Sequence, residues 1–442
     1  MPEVFEKDDR EQTGVGSYFV ANYPPFSVWT ESAVDTAREA LSSPAAAVPL
    51  GLYLHIPFCR KRCHFCYFRV YTDKNAREVN SYLDTVAREW ELYAALPAIA
   101  GRTLDFVYFG GGTPSFLSTG QLGGLVSRLK AATPWDRAEE VTFECEPGTL
   151  TEPKLSVIRD IGVTRLSLGV EHFDDQILEL NGRAHRSAEI ARAYAFARGL
   201  GFPQINIDLI AGMLGDTDAK WSAAIDRVLE LEPDSITIYQ MELPFNTTIS
   251  KDKIKHLGQF EETVAPWDTK RRWVDEAFSR LERAGYHVGS AYTVVKDPAK
   301  ARFVYRDRLW QGADLAGLGV ASFGHINGVH LQNLDSWETY AAGIEAGAPP
   351  LARAYRPSAD ERLIREFVLQ MKKGGVAPSY FAEKYGVDVL DRFAAPLASL
   401  SRDGYLAALG PDRIGLTRQA LLRVDVLLHR FFLPQHTGIR YT

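Results

Sequence analysis

The sequence predicts an α/β fold: a parallel sheet, curved or closed like part of a barrel, with an N-terminal arm and a C-terminal helical domain of winged-helix type. Two observations predict it. From residue 50 to about 240, short apolar runs alternate with long amphipathic ones, the pattern of strand-helix units whose strands pair in parallel. From about residue 350 the character changes to charged helices, with a strand pair near Tyr405–Ala408 and Arg413–Leu416. The expected division is an arm over 1–48, a barrel core with an extension over 49–345, and a helical domain over 346–442.

The arm begins polar and becomes aromatic in Tyr18-Phe-Val-Ala-Asn-Tyr23-Pro-Pro-Phe26-Ser-Val-Trp29. Tyr-Pro-Pro-Phe is no helix interior, so it is an extended segment that lies on something, either the core or the mouth of an active site. Ser42-Ser-Pro-Ala-Ala-Ala reads as a linker. Candidate strands follow at 52–56, 106–109, 141–145, 165–170, 205–210 and 235–239. Helical patterns lie between them at 79–95, 121–131, 152–161, 175–180 with 188–200, and 219–231, where Asp218 is the expected N-cap. After a helix near 269–284, the glycine-rich run Gly317-Leu-Gly319-Val-Ala-Ser-Phe323-Gly324 is expected to pack closely and to line the far edge of the site.

At 442 residues, with 46% hydrophobic and 24% charged content, the chain has the composition of an ordinary globular protein of two or three domains, or of one barrel with appendages. The net charge is −6 and no long basic run appears, which argues against nucleic acid and for a small-molecule substrate. Only Cys145 lies outside one cysteine cluster, so a disulfide scaffold is excluded and a reducing compartment is indicated. The N-terminal ten residues are acidic and lack an apolar signal core, and no run is long enough to span a bilayer. The expectation is a cytoplasmic protein.

The first strand runs into Cys59-Arg-Lys-Arg-Cys63-His-Phe-Cys66, three thiols within eight residues on one loop. Soft sulfur ligands suit zinc or iron-sulfur, and three cysteines on a four-iron cube leave one iron open. A Cys3His zinc site completed by His55 or His64, and a set of reduced structural thiols, fit the same spacing. Arg60, Lys61 and Arg62 are expected to lower the thiol pKa values.

Each later strand also ends in special residues: Gly110-Gly-Gly-Thr113-Pro-Ser, then Glu144-Cys-Glu146-Pro, then Glu171-His172, then Asp208 with Gly212, then Gln240-Met241-Glu242. In a parallel barrel these ends converge on one face, where chemistry sits. Glu144 and Asp208 lie in apolar runs, and a buried acid without a partner is costly. They are expected to bind a cationic or hydroxyl-bearing ligand, or to pair with an arginine such as Arg183. His172 and His185 read as structural, because nothing near them has ligand spacing.

Taken in order, Tyr53-x-His55-Ile-Pro-Phe-Cys59-x-x-x-Cys63-x-Phe65-Cys66, Gly110-Gly-Gly-Thr-Pro-Ser, Glu144-x-Glu-Pro, Gly169-Val-Glu171-x-Phe and Asn206-Ile-Asp208-Leu-Ile-x-Gly212 resemble the radical S-adenosylmethionine superfamily. The narrower resemblance is to its HemN-like branch, which includes oxygen-independent coproporphyrinogen dehydrogenase, a haem chaperone and the class C methylases. It covers roughly residues 50 to 440. It implies a partial (β/α)6 barrel of radical SAM type and a 4Fe-4S cluster on Cys59, Cys63 and Cys66. S-adenosylmethionine would chelate the open iron and be cleaved reductively to a 5′-deoxyadenosyl radical. By the family's pattern, Tyr53, the Gly111-Gly112 backbone, Glu144 and Phe323 contact this molecule. Phe65, Gly112, Thr113, Glu171, Arg183, Asp208 and Met241 match a second S-adenosylmethionine site, and Glu171, where the dehydrogenase has glutamine, is also a candidate catalytic residue.

Two departures shape the functional expectation. Tyr67-Phe68 stand where the dehydrogenase has an extra cysteine. Tyr305-Arg306 stand where the chaperone's haem motif has its axial histidine. The expectation is therefore a class C enzyme that uses the second S-adenosylmethionine as carbon donor to methylate or cyclopropanate an sp2 carbon of a small acceptor. The alternatives are oxidative decarboxylation of coproporphyrinogen III and, without catalysis, haem carriage. An electron donor such as flavodoxin or ferredoxin is the implied partner.

Overall fold

The computed structural model describes residues 13–439, apart from 257, 259 and 261–263. The acidic N-terminus over 1–10 lies outside the described residues. The chain forms two compact units, one of Trp29–Leu209 with Arg302–Arg356, the other of Met1–Val28, Ile210–Ala301 and Pro357–Thr442.

The predicted strands are present as β1 (Leu50–Ile56), β2 (Phe106–Gly111), β3 (Glu140–Cys145), β4 (Arg165–Glu171), β5 (Gln204–Ala211) and β6 (Ser235–Gln240). In the first unit β1 to β5 pair successively in parallel. Their near-continuous apolar runs follow from burial on both faces; in β1 only Tyr53 is less than buried. Helices cross between the strands, and the starts of two are written into the sequence. Asn75 with Glu78 and Ser118 with Gln121 form capping boxes, each satisfying two N–H groups that the first turn leaves free.

The sheet continues on the other edge of β1. The strand Asp314–Leu318 pairs with β1 in parallel. The antiparallel strands Phe323–Ile326, Val329–Asn333 and Leu351–Tyr355 follow it. The glycine-rich run thus supplies a strand and a tight turn. A Cβ on Gly317 would lie 2.0 Å from the Phe323 carbonyl oxygen, so only glycine lets the two strands approach.

In the second unit β6 pairs antiparallel with Thr293–Val295, which pairs with His287–Val288. The helix expected to be capped by Asp218 is capped instead by Thr217, whose hydroxyl accepts from the Lys220 N–H. Asp218 lies in the first turn and pairs with Arg272 at 2.7 Å. Either residue suits an N-cap, and the ion pair across to the helix Trp267–Arg283 decides between them.

The aromatic arm packs into this unit. Glu242 accepts hydrogen bonds from the Ser17 hydroxyl and from the backbone N–H groups of Tyr18 and Phe19. Lys372 pairs with Asp425 at 2.6 Å and donates to the Val20 carbonyl at 2.7 Å. Tyr23 is fully buried. The C-terminal part joins charged helices to a three-stranded antiparallel sheet of Gly375–Val376, Ile414–Leu416 and Leu406–Leu409, the helix-and-wing arrangement the sequence predicts. Among the described residues no helix is long and apolar enough to cross a membrane.

Candidate cluster and cofactor site

Pro57 ends β1, and the chain then makes a loop whose base is closed by backbone bonds. Cys59 N–H donates to Tyr71 O at 3.1 Å and Tyr71 N–H to Pro57 O at 2.7 Å. The loop's far side is tied to the turn after the helix Asp175–Leu180, where His64 N–H donates to Asn181 O at 3.0 Å. Two thiols receive hydrogen bonds from later loops, one after β2 and one after the helix Asp175–Leu180. Thr113 Oγ1 donates to Cys59 Sγ at 3.3 Å, and Arg183 Nη1 to Cys63 Sγ at 3.1 Å. Such donors stabilise sulfur in its anionic, metal-bound form.

The cations inside the motif do not act as expected. Burial pushes the Cys59 thiol up to about 11 and the Cys66 thiol up to about 12. Arg60 points away, bound to Glu146 through both Nε and Nη2 at 3.0 and 2.8 Å, and Arg62 donates to the Cys66 carbonyl. Desolvation therefore outweighs their charge, and the thiols give up protons when a metal binds. Each histidine of the zinc alternative places one ring nitrogen on a backbone carbonyl. His55 Nε2 lies 3.3 Å from Arg69 O, and His64 Nδ1 lies 3.0 Å from Leu180 O.

Two groups of predicted residues come together beside the loop. In one, Glu144 accepts from the Tyr108 hydroxyl at 2.5 Å, and Tyr108 stacks on Tyr53 with centroids 5.9 Å apart. Burial pushes Glu144 up to about 7 despite that bond. In the other, Arg183 faces Glu171 at 3.7 Å and donates to the Gly169 carbonyl at 2.6 Å. Arg183 thus pairs with Glu171 and Cys63, not with Glu144 or Asp208. Glu171 has φ +64°, a left-handed backbone uncommon for a side chain of this kind, and burial pushes its carboxyl up to about 7. Asp208 accepts from Ser167 and from Asn206, both at 2.9 Å.

Gly111 and Gly112 offer bare backbone. A Cβ on Gly111 would meet His55 Nδ1 at 2.4 Å, and one on Gly112 the Ile56 carbonyl at 2.8 Å. Phe65 is half-buried on the loop, and Phe323 packs edge-on against Trp29 at 5.5 Å. Met241 belongs to the second unit, buried beyond the end of β6, with its carbonyl accepting from Lys270 Nζ at 2.7 Å. Tyr67 and Phe68 are 39% and 44% exposed and stack on each other at 4.5 Å. His172 and His185 are fully buried, His185 between Glu146 and the Val170 carbonyl.

Sequence reading missed Tyr108, Ser167 and Asn206 as partners of the carboxylates. Their signal is a polar residue inside an apolar strand; Asn206 and Asp208 stand two apart, on one face. The Arg60–Glu146–His185 set has no such signal, because its members come from three loops.

The radical SAM superfamily model matches residues 53–228. Relatives that align over most of their length carry HemN-like names. The heme chaperone HemW of Bacillus subtilis is 28% identical over 358 residues, 80% of this chain and 92% of the relative. The oxygen-independent coproporphyrinogen III oxidase of Pseudomonas aeruginosa is 27% identical over 431 residues, 92% and 91% of the two chains. Residues 53–228 thus carry a radical S-adenosylmethionine domain, and over most of its length the chain is similar to proteins of the HemN-like branch. Its fold agrees: the structure of the Escherichia coli radical SAM enzyme HemN superposes with TM-score 0.81 at 24% identity, covering 95% of this chain and 99% of that one.

A radical SAM domain implies one 4Fe-4S cluster and S-adenosylmethionine. The residues present fit the cluster: three soft thiol ligands stand on one loop, and Thr113 and Arg183 donate to two of the sulfurs. The same relatives overturn the expectation of class C methylation or cyclopropanation. The curated names are coproporphyrinogen III oxidase and heme chaperone, and the enzyme reading moves from methyl transfer to oxidoreduction.

Proposed function

We propose that this radical SAM enzyme is an oxygen-independent oxidase that oxidatively decarboxylates coproporphyrinogen III. The observation that carries the reading is the alignment with the Pseudomonas oxidase over 92% of this chain and 91% of that one, where the chaperone covers 80% of this chain. Haem carriage loses support because the helix Val304–Trp310, which stands at the chaperone's haem motif, contains no histidine.

In this reading Cys59, Cys63 and Cys66 hold the cluster, and the Thr113 and Arg183 donors steady its thiolates. A cluster held there would supply the electron for reductive cleavage of S-adenosylmethionine to a 5′-deoxyadenosyl radical. The Gly111–Gly112 backbone receives the methionine amine, the Glu144 carboxyl the ribose hydroxyls, and Tyr53 and Phe323 flank the adenosine. Phe65, Thr113, Glu171, Arg183 and Asp208 hold a second S-adenosylmethionine. Glu171 keeps or gives up its proton near neutrality according to the charge bound beside it. A flavodoxin- or ferredoxin-type donor delivers electrons, in a cytoplasm reducing enough to keep the cysteines free.

The test is anaerobic reconstitution and incubation with S-adenosylmethionine, reductant and coproporphyrinogen III. Release of carbon dioxide with 5′-deoxyadenosine is expected. Deoxyadenosine formed without carbon dioxide overturns the reading, and a haem complex that survives gel filtration restores the carrier.

A further inference from the structure

The helix Ala76–Ala94 buries a carboxylate with no cation bonded to it. Glu89 is fully buried and makes no ion pair among the described residues. It accepts three hydrogen bonds from three segments: from Gly319 N–H at 2.7 Å, Asn333 Nδ2 at 2.6 Å and Tyr340 Oη at 2.5 Å. Burying such a group is costly, and the three bonds that it accepts in return tie three segments to one carboxylate.

What it holds is the turn from Gly319 to Ser322. Gly319 has φ +99° and Ala321 φ +59°, and an alanine stays in the left-handed region only where its surroundings over-determine it. Asn333 completes the clamp, with Nδ2 3.0 Å from both the Gly319 carbonyl and Ser322 Oγ. Tyr82 lies seven residues before Glu89, on the same helical face. Its hydroxyl donates to the His55 carbonyl at 2.8 Å and accepts from Val320 N–H at 3.1 Å.

The contacts are close throughout. A Cβ on Gly319 would stand 2.4 Å from Tyr82 Oη and 2.8 Å from His55 O, and the His55 ring is the neighbour that a Cβ on Gly111 would meet. Packing therefore runs without a gap from Glu89 through the turn and His55 to the Gly111 backbone. The residue that follows the turn is Phe323.

We propose that Glu89 is a positioning residue for the S-adenosylmethionine site, setting the turn before Phe323 against the end of β1 and the Gly111 backbone. This rests on Phe323 and Gly111 being contacts of S-adenosylmethionine, as assigned above. Glu89 itself touches neither cofactor nor substrate.

The experiment is equilibrium dialysis of S-adenosylmethionine against the reconstituted, unreduced protein, with iron content and melting temperature as checks on folding. Glu89→Gln, Phe323→Ala and the double variant form a cycle. Each single variant is expected to weaken affinity about tenfold, equivalent to about 1.4 kcal/mol. The double variant is expected to lose little more, because both changes disable one contact. A Glu89→Gln protein with a lowered melting temperature and unchanged affinity overturns the proposal, and so does full additivity. Unchanged affinity in Phe323→Ala overturns the underlying assignment and the proposal with it, whereas an effect there with none in Glu89→Gln overturns the proposal alone. If Glu89→Gln loses its iron, Tyr340→Phe, which removes one donor and keeps the carboxylate, takes its place with an expected loss of about threefold and the same criteria.

Discussion

Glu144 and Glu146 stand two residues apart at the end of β3 and titrate in opposite directions. Glu144 meets a phenol, Tyr108, and burial pushes it up to about 7. Burial pushes Glu146 up as well, but its hydrogen bonds to His185 and Arg60 outweigh that and take it down to about 2. Both are shielded from water, so the bonded partner decides the charge. The difference separates two jobs: Glu146 is committed to holding the cluster loop through Arg60, whereas Glu144 keeps a carboxyl available to a ligand.

The largest effect is expected at the loop itself. Cys63→Ala should abolish cluster assembly, read as iron content and visible absorbance after anaerobic reconstitution; full iron content would show the ligand assignment to be wrong. Next, Glu146→Ala leaves one ring nitrogen of buried His185 and the exposed Arg60 guanidinium without their carboxylate. It should lower stability by about 2–3 kcal/mol and reduce iron uptake. A urea midpoint within error of the parent would erase the contrast between the two carboxylates.

The third expectation concerns pH. The folded protein keeps the Glu144 proton up to about 7, while the ordinary value is 4.5. Its stabilising contribution is therefore complete below 4.5 and is lost as pH rises from 4.5 to 7. Glu89, Glu171 and Glu242, also pushed up to about 7 by burial, slope the same way. Glu144→Gln should remove its share, on the order of 1–3 kcal/mol across that window, in melting curves taken between pH 4.5 and 8. Glu146 runs oppositely, its contribution present above 4.5 and lost as pH falls toward 2. An unchanged slope in Glu144→Gln would mean that this carboxyl is ionised throughout. The smallest effect is expected from Tyr108→Phe, about 1 kcal/mol for one hydrogen bond, with the Glu144 transition moving to higher pH; a transition that moves down would show that the phenol does not stabilise the carboxylate.

Much of the fold was legible because its signals are local. Runs such as Leu52–Ile56 and Ile205–Ile210 are short and largely apolar, as buried strands are, and the spacing of the cysteines puts three thiols on one loop. The strand Asp314–Leu318 was not legible. Its Asp-Leu-Ala-Gly-Leu run lacks the β-branched and aromatic residues that favour strands, and its partner β1 lies more than 250 residues earlier in the chain. The Asp218 cap shows a subtler limit, since choosing between Thr217 and Asp218 required knowing that Arg272 waits on another helix.

The sequence by itself determined the six strands from β1 to β6, the grouping of three thiols on one loop and the presence of carboxylates at strand ends, because strand period, residue spacing and the cost of burying an acid act over a few residues. It also placed the chain among the radical SAM enzymes. Only the tertiary structure decided which acid stays protonatable, which arginine reaches a thiol, and which carboxylate holds the turn before Phe323. Those outcomes depend on donors and cations brought together from segments far apart in the chain, and burial makes each such encounter decisive, since in a poorly solvated interior a charge is settled by its nearest partner.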